Sequence, residues 1–354
     1  MDRADQIRAA FVRQAEWCTR LEAPFTASLC HVLAELLDPG TRVGARVLEW
    51  RGDPDADALP LRLCGGLHAL VRSRHAARLA ALYPPAPVPD PSALADALAM
   101  TLVDCEEALL PWLDRAPQTN EVGRAAPLMA GLLVLADHFR LPLRLYELGA
   151  SAGLNLQLDR YLHVLGTTRA GDAAAALQLK PDWHGDSPPR AQVRVTARAA
   201  VDLNPVDPVA DRERLLAYVW PEQDQRRRQL EAALDIAAND PPPVEEGDAA
   251  DWLEKRVGDA PELGVCRVVL HSVAFQYFAS AAQQRVIARL SAAGARATAA
   301  APLAWLRLEK LSEDEHFSLR LHTWPGEERL LAWSHPHGRW VEWQPAIASA
   351  PSRR

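Results

Sequence analysis

The sequence predicts an α/β protein with a mostly parallel sheet, an antiparallel terminal hairpin and a helical N-terminal region. Three observations predict this class. Before residue 141, apolar residues recur at helical spacing without strand-like alternation. Beyond it, strand-like and helical segments alternate, which implies right-handed crossovers between parallel strands. The last two strand-like segments, residues 317–324 and 329–334, flank Pro325-Gly326 as in a hairpin.

The N-terminal region is predicted to consist of helices. The first helix carries an apolar stripe that includes Ile7 and Phe11. The proline-rich residues 84–91 cannot be helical inside, so they separate two later helices. A further helix is expected over residues 125–139. The expected domains are a helical N-terminal cap region (1–124), a main domain (125–345) and a flexible tail (346–354).

The main domain is expected to alternate strands with helices. Residues 265–273 are almost continuously apolar, as in a parallel strand buried on both faces. Residues 166–190 show neither period and are interpreted as an insertion. The other strands are expected over 143–148, 193–202 and 297–309 and in a short piece ending at Gly247-Asp248, with helices over 211–238 (broken at Pro221) and 280–293. A helix is also expected directly after the first strand, with these side chains inward: Leu154, Leu158, Tyr161, Leu162 and Leu165.

Composition excludes several classes of protein. Hydrophobic residues make up 49% and charged residues 24% of the chain, which excludes a disordered protein. A net charge of −7 argues against nucleic acid as the main partner, since phosphate binding needs clustered cations. Neither a secretory signal nor a charge-free apolar run of roughly 18 residues is present, so no membrane span is expected. Five cysteines without a C-x-x-C pair predict free thiols in a reducing cytoplasm.

The segment Glu147–Asn155 (ELGASAGLN), between the first strand and the following helix, is the most informative motif. Glycines at such a turn let the backbone approach a ligand, and a helix N-terminus offers unpaired N–H groups. A dinucleotide site requires G-x-G-x-x-G, whereas Gly149 and Gly153 here enclose Ser151. The spacing therefore argues against NAD or FAD.

A serine hydrolase is an alternative, because the same letters match the G-x-S-x-G nucleophile elbow with Ser151 as nucleophile. The chain order Ser…Asp…His is available as well. No HGGG-type oxyanion segment is found upstream. The candidate partners of Ser151 are Asp202 or Asp248, followed by His271, His335 or His337.

A third hypothesis is S-adenosylmethionine, because Glu147, two positions before the first glycine, suits a ligand with an ammonium and a sulfonium group. The pattern E-x-G-x-S-x-G resembles motif I of class I S-adenosylmethionine-dependent methyltransferases. Asp202 (AAVDLNPVD) and Asp248 (VEEGDA) resemble that family's ribose- and adenine-binding segments. The resemblance implies a Rossmann-like methyltransferase fold and these cofactor-binding residues: Glu147, Gly149, Ser151, Gly153, Asn155, Asp202 and Asp248.

The acceptor side is expected from two other segments. Residues 271–278 (HSVAFQYF) resemble the segment after the family's fourth strand, which makes His271 and Tyr277 the catalytic candidates. The segment 117–124 (PQTNEVGR) provides the substrate-side candidates Asn120, Glu121 and Arg124. Structural roles remain open as alternatives: a core histidine at His271, helix capping by Asn120 and Asp248, and an Asx-turn at Asp202.

The whole chain also resembles a bacterial family of uncharacterised proteins, domain of unknown function 2332. The segments that show this are 117–124, 147–156, 202–208, 218–223, 248–253 and 335–343. This second resemblance implies no established reaction, so the expected activity comes from the first. We expect methyl transfer from S-adenosylmethionine to a small-molecule or protein acceptor, with a hydrolase or a non-catalytic binding protein as alternatives. No metal site is expected, because His335-Pro336-His337 has no third ligand at a recognisable spacing.

Overall fold

The computed structural model describes residues 2–258, 260–312 and 314–344 of the chain. The α-helices are α1 (Arg3–Arg20), α2 (Pro24–Leu36), α3 (Arg42–Leu48), α4 (Leu59–Arg72), α5 (Ala77–Ala80), α6 (Pro91–Asp104), α7 (Glu106–Leu113), α8 (Ala125–Phe139), α9 (Arg212–Ala217), α10 (Asp224–Asn239), α11 (Ala249–Arg256) and α12 (Ser280–Gly294). The strands are β1 (Leu143–Leu148), β2 (Leu162–Leu165), β3 (Thr168–Gly171), β4 (Gln178–Leu179), β5 (Asp182–His184), β6 (Val195–Asp202), β7 (Val244–Glu246), β8 (Cys266–Ser272), β9 (Leu303–Glu309), β10 (Phe317–Trp324), β11 (Glu328–Ser334) and β12 (Trp340–Trp343). Short 3-10 helices cover Val122–Arg124, Asn155–Arg160 and Phe275–Tyr277.

The chain folds as two compact units. The first comprises the chain up to Thr119 together with Asp211–Arg228, and the second comprises Asn120–Ala210 and the chain from Gln229 onward. The sequence placed this boundary at residue 124 and assigned 211–228 to the main domain, so the division differs at both points. The expected tail, 346–354, lies outside the described residues.

The first unit is helical because its apolar residues face a common core. On α1, Ile7, Phe11, Ala15 and Cys18 recur at three- to four-residue spacing and are fully buried. The later segment joins this unit through α9. The ring of Tyr218 packs so closely on α4 that a Cβ added at Gly65 would lie 2.5 Å from it. No local sequence pattern predicts this contact between residues so far apart in the chain.

The second unit contains a nine-stranded sheet of order β5-β12-β11-β10-β9-β8-β1-β6-β7. The pairs from β7 to β9 are all parallel. The strands β9 to β12 are antiparallel neighbours, and β5 is parallel to β12. A mixed α/β class with a large, mostly parallel sheet and a helical N-terminal region is thereby confirmed. The predicted terminal hairpin is present as β10 and β11, and β12 extends it.

Helices cover both faces of this sheet. On one face, Leu253 of α11 and Leu290 of α12 share a buried cluster with Trp305 of β9. On the other, α8 approaches β9 so closely that a Cβ at Gly131 would lie 2.5 Å from the side chain of Leu306. Residues 122–139 are long and apolar enough for a membrane span by composition alone, and 72% of this stretch is buried inside the protein. A core helix passes the same test.

The prediction of a helix directly after β1 is wrong. The chain instead forms the 3-10 helix Asn155–Arg160 and then a hairpin of β2 and β3, with Gly166 at φ +60° in its turn. All five residues expected to face inward are buried. Their spacing therefore reported burial correctly but not backbone conformation, because a short apolar run suits a strand equally well. Gly166-Thr167 between strand formers was the hairpin signal.

Candidate functional site

The carboxyl ends of β1, β6, β7 and β8 lie along one edge of the large sheet. From β1 the strand order runs to β6 and β7 on one side and to β8 and β9 on the other, so it reverses between β1 and β8. In open α/β sheets, ligands bind outside the carboxyl ends of the strands at this point. The residues that follow these strands therefore form the candidate site.

The turn after β1 requires left-handed backbone conformations. φ is +66° at Gly149, +54° at Ser151 and +71° at Gly153. A Cβ added at Gly149 would lie 2.6 Å from that of Ala274, and one at Gly153 would lie 2.8 Å from Pro242. Both glycines are thus required by backbone conformation and by close packing, and protein atoms fill the space beside each.

Glu147, in β1, is only 2% exposed. Burial raises the pKa of its carboxyl well above the ordinary value, and the nearby Asp202 carboxylate adds to the rise, against the effect of a hydrogen bond from the backbone N–H of Leu156. Its Oε2 has no hydrogen-bond partner. Burial in the sheet therefore favours the protonated form of Glu147, whereas the sequence predicted a carboxylate that attracts a cationic ligand.

Glu147→Gln should flatten the pH dependence of stability as pH rises above about 4.3, the ordinary pKa of an unfolded glutamate. The folded glutamate retains its proton to higher pH, so wild-type stability falls by up to about 1.4 kcal/mol per pH unit until the folded pKa is passed. A neutral glutamine abolishes that fall. Urea unfolding at several pH values measures it, with the exposed Glu246→Gln as control. Equal slopes for Glu147→Gln and the wild type would contradict the prediction.

Asp202, the last residue of β6, is bonded to the turn after β1. Its Oδ2 accepts a hydrogen bond from the backbone N–H of Ser151 at 2.8 Å, and its Oδ1 accepts one from Asn204 at 2.9 Å. The second bond is the Asx-turn that the sequence left open. An ionised carboxylate has about four acceptor positions, so acceptor capacity remains for a ligand.

Asp248 follows β7 and caps α11. Its Oδ1 accepts hydrogen bonds from the backbone N–H groups of Ala250 and Asp251, both at 3.0 Å. Asp248 therefore caps the helix, which is the structural role that the sequence left open. Because both bonds fall on Oδ1, its Oδ2 keeps acceptor capacity. The backbone N–H of the preceding Gly247 donates to the carbonyl of Asp202 at 3.0 Å, which joins the ends of β6 and β7.

The backbone beside these two carboxylates borders open space. A Cβ added at Gly247 would meet only one neighbouring atom within 4 Å, a methyl of Val201 at 3.7 Å. Leu203, next to Asp202, is 62% exposed. Two carboxylates, an open glycine backbone and an exposed apolar side chain thus lie together at the ends of β6 and β7.

Two of the predicted substrate-side residues lie against the turn after β1. The Oδ1 of Asn120 accepts a hydrogen bond from the backbone N–H of Leu154 at 2.8 Å. The Nδ2 of Asn155 donates to the carbonyl of Glu121 at 3.3 Å, while its Oδ1 is buried without a hydrogen-bond partner. The fold therefore brings the predicted residues of segment 117–124 into contact with those of the turn after β1.

Arg124, the third of them, reaches the end of β8. Its Nη1 donates to the carbonyl of Ser272 at 3.3 Å, and its Nε donates to that of Pro336 at 2.8 Å. The guanidinium thus connects the segment before α8 with the carboxyl end of β8. Both of these acceptors are backbone carbonyls.

His271, in β8, is fully buried, and both of its ring nitrogens are engaged. The indole N–H of Trp305 donates to Nε2 at 3.0 Å. Since an indole N–H can only donate, Nε2 is unprotonated, and Nδ1–H donates to Oε1 of Glu309 at 2.6 Å. The ring is therefore neutral and fixed in place. His271 thus has the structural role that the sequence left open, that of a core histidine.

Glu309, the last residue of β9, anchors the segment after β8. Besides His271, its Oε1 accepts hydrogen bonds from the backbone N–H groups of Ala274 at 3.1 Å and Phe275 at 3.2 Å. Burial favours the protonated acid, but the hydrogen bonds from His271 and from these two backbone N–H groups outweigh it and hold the pKa of Glu309 below its ordinary value.

The anchored segment contains a strained residue and an exposed aromatic one. Val273 has φ +51°, which is rare for a β-branched residue and persists where the surrounding structure enforces it. Tyr277 is 74% exposed. The two predicted catalytic residues thus differ in environment, since His271 lies in the core and Tyr277 at the surface.

The Oγ of the alternative nucleophile, Ser151, makes no hydrogen bond to a base in the described part of the chain. Its φ of +54° suits a nucleophile elbow, but its Oγ is buried without a hydrogen-bond partner. Both nitrogens of His271 are engaged elsewhere, and Nδ1 of His335 accepts from the backbone N–H of His337 at 3.0 Å. Residues 2–258, 260–312 and 314–344 also contain no cluster of three or more His, Cys, Asp or Glu arranged for a metal ion.

The residues that sequence reasoning missed are Leu203, Gly247 and Glu309. Each lies at or directly beyond the carboxyl end of a parallel strand. The positional rule that selects this edge would have pointed to them. Leu203 and Gly247 also adjoin the two predicted carboxylates in sequence, whereas the role of Glu309 depends on its distant partners.

Comparison with known proteins identifies a family but no activity. Residues 8–343 match a family model described as an uncharacterised protein conserved in bacteria (DUF2332). No curated protein and no solved structure matches the chain.

Proposed function

The chain belongs to the bacterial protein family DUF2332. From the geometry of its site we propose that it binds S-adenosylmethionine at the carboxyl edge of the parallel sheet. We further propose that it transfers the methyl group to a small-molecule or protein acceptor. All five cysteines are free thiols, which suits the reducing cytoplasm that we propose as its location.

The observation that carries the proposal is the juxtaposition of Asp202 and Asp248 with the turn after β1. Asp202 accepts from the backbone of that turn, and Gly247 bonds to the carbonyl of Asp202. Numbered along the chain, the five parallel strands have the order 3-2-1-4-5, which is that of doubly wound nucleotide-binding sheets. This order supports a Rossmann-like methyltransferase fold.

The nucleoside part of the ligand fits the ends of β6 and β7. Asp202 retains acceptor capacity for the ribose hydroxyls, and the Oδ2 of Asp248 retains it for the adenine amino group. Leu203 and the open backbone of Gly247 offer a flat apolar surface to a base. The donor and acceptor chemistry of this part of the site therefore matches adenosine.

The residues expected at the methionine end have a different role in the proposal. Burial favours the protonated form of Glu147, and the spaces beside Gly149 and Gly153 are filled by protein. We assign these three residues to the shape of the turn. Asn155, whose Oδ1 is buried without a partner, is the remaining polar candidate at this end.

Bound S-adenosylmethionine supplies an electrophilic methyl group on its sulfonium. The chain's contribution to such a reaction is to fix the geometry of the reactants and to exclude water. His271 is assigned as a positioning residue, because with Glu309 it fixes the segment after β8. Tyr277, exposed on that segment, is the acceptor-side candidate.

Titration calorimetry with S-adenosylmethionine and S-adenosylhomocysteine tests the proposal. Gly247→Val should weaken binding at least about tenfold, or ~1.4 kcal/mol, because its side chain occupies the open space beside Asp248. Gly258→Val is the matched control, since a Cβ there meets nothing within 4 Å.

Absence of heat with both ligands, or equal affinity of Gly247→Val and the wild type, would reject the proposal. Binding without transfer to any acceptor would indicate the non-catalytic alternative. Labelling by a fluorophosphonate that is lost in Ser151→Ala would instead support the hydrolase.

A further inference from the structure

The insertion between residues 166 and 190 has a structural role that the proposed function does not use. It contributes β3, β4 and β5. β5 pairs with β12 at the end of the large sheet. β3 and β4 flank β2 in a separate three-stranded sheet, so β3 presents a free edge within the described structure. The insertion therefore adds a second small sheet to the unit.

An open cleft of about 680 Å³ lies along this small sheet. One part of its lining comes from residues 167–172, and another comes from residues 190–193, just before β6. Asp159, from the 3-10 helix, completes it. The cleft is large enough for a small metabolite.

The acidic side chains that line this cleft have bonding partners within the protein, whereas its two arginine side chains have none in the described residues. Asp159 is paired with Arg198 at 2.9 Å. Asp172 accepts a hydrogen bond from the backbone N–H of Ala174 at 2.8 Å. The side chains of Arg169 and Arg190, by contrast, have neither a hydrogen bond nor an ion pair within residues 2–258, 260–312 and 314–344. Two unpaired guanidinium groups therefore line the same cleft from two different segments.

The cleft is remote from the proposed cofactor site. Residues 190–193 precede β6 at its amino end, whereas Asp202 is its last residue. A strand of this length spans on the order of 20 Å at ~3.3 Å per residue. A ligand in the cleft would thus not contact the residues proposed to hold the nucleoside.

We propose that the cleft binds a small organic anion with two oxyanion groups, either carboxylates or phosphates. A guanidinium group presents a planar set of donors that matches the oxygens of both groups. Arg169 and Arg190 hold the two ends of the anion. Two arginines against Asp172, with Asp159 paired to Arg198, leave the lining with a net charge of +1, which attracts an anion.

Calorimetric titration with citrate and with inorganic pyrophosphate distinguishes the two oxyanion chemistries. At least one probe should bind saturably to the wild-type protein. Arg169→Gln and Arg190→Gln should each weaken that binding about tenfold, and the double variant should abolish it. The control is Arg329→Gln, an exposed arginine on β11 outside the cleft, which should bind as the wild type does.

Both cleft arginines are exposed, so the variants should unfold at the wild-type temperature when no probe is present. Failure of both probes to bind saturably would overturn the proposal. So would equal affinities in the wild type and the double variant. Neither outcome depends on S-adenosylmethionine, so this test is separate from that of the proposed function.

Discussion

Glu309→Ala is expected to lower the free energy of unfolding by about 3–5 kcal/mol. The substitution removes the acceptor shared by Nδ1 of His271 and the backbone N–H groups of Ala274 and Phe275. Each donor left unsatisfied in the interior costs about 1–3 kcal/mol. Val273, at φ +51°, directly precedes the two residues whose backbone bonds to Glu309 are lost.

Urea unfolding monitored by circular dichroism measures this effect. Glu328→Ala is the control, because Glu328 pairs with Arg307 of the same strand β9 at the surface, and loss of that pair should cost less than about 1 kcal/mol. A similarly small loss in Glu309→Ala would show that the carboxylate does not anchor the segment.

The same carboxylate should make the protein sensitive to acid. Its pKa in the folded protein lies below that of the unfolded chain, so its stabilising contribution is complete above about pH 4.3 and is lost as pH falls through the folded pKa. The stability gap between the wild type and Glu309→Gln should therefore narrow below that pH.

Asp202→Asn should weaken S-adenosylmethionine binding about 100-fold. The proposed ribose contacts are two charge-assisted hydrogen bonds, and each is worth roughly a factor of ten. In addition, an amide has one acceptor oxygen and cannot accept from Ser151 and Asn204 at its two ends, so one of these two backbone bonds is lost.

Asp207→Ala separates these two effects. Asp207 also accepts backbone hydrogen bonds, from Val209 and Ala210 at 2.8 Å, in the loop that follows β6. Its loss should disturb that loop without removing a ligand contact, so calorimetry should show wild-type affinity. Equal losses of affinity in both variants would contradict the assignment of Asp202 to the ribose.

Local patterns were sufficient for much of the fold. The helix over 125–139 and the strand over 143–148 have the predicted bounds, and every residue of β8 is buried. These elements were predictable because their periodicity depends only on neighbours in the chain. The same patterns failed after β1, where buried residues at helical spacing belong to a 3-10 helix and a hairpin.

The candidate site was predictable in position but not in detail. Asp202 and Asp248 follow parallel strands, so their proximity follows from the topology. The raised pKa of Glu147 could not be predicted from the topology, because it depends on burial and on a carboxylate from another strand. The fixed ring of His271 depends likewise on Trp305 and Glu309 of β9.

Local sequence patterns were enough to predict which segments are buried, where most strands end and which glycines mark the turn after β1. The folded chain was needed to show which protein atoms fill the space at those glycines, which donors and acceptors are satisfied, and which charges stay unpaired in the insertion's cleft. Backbone preference and apolar periodicity are predictable because they act between near neighbours in the chain. Hydrogen-bond partners, desolvation and open space are set by residues that strand register and helix packing bring together from distant positions.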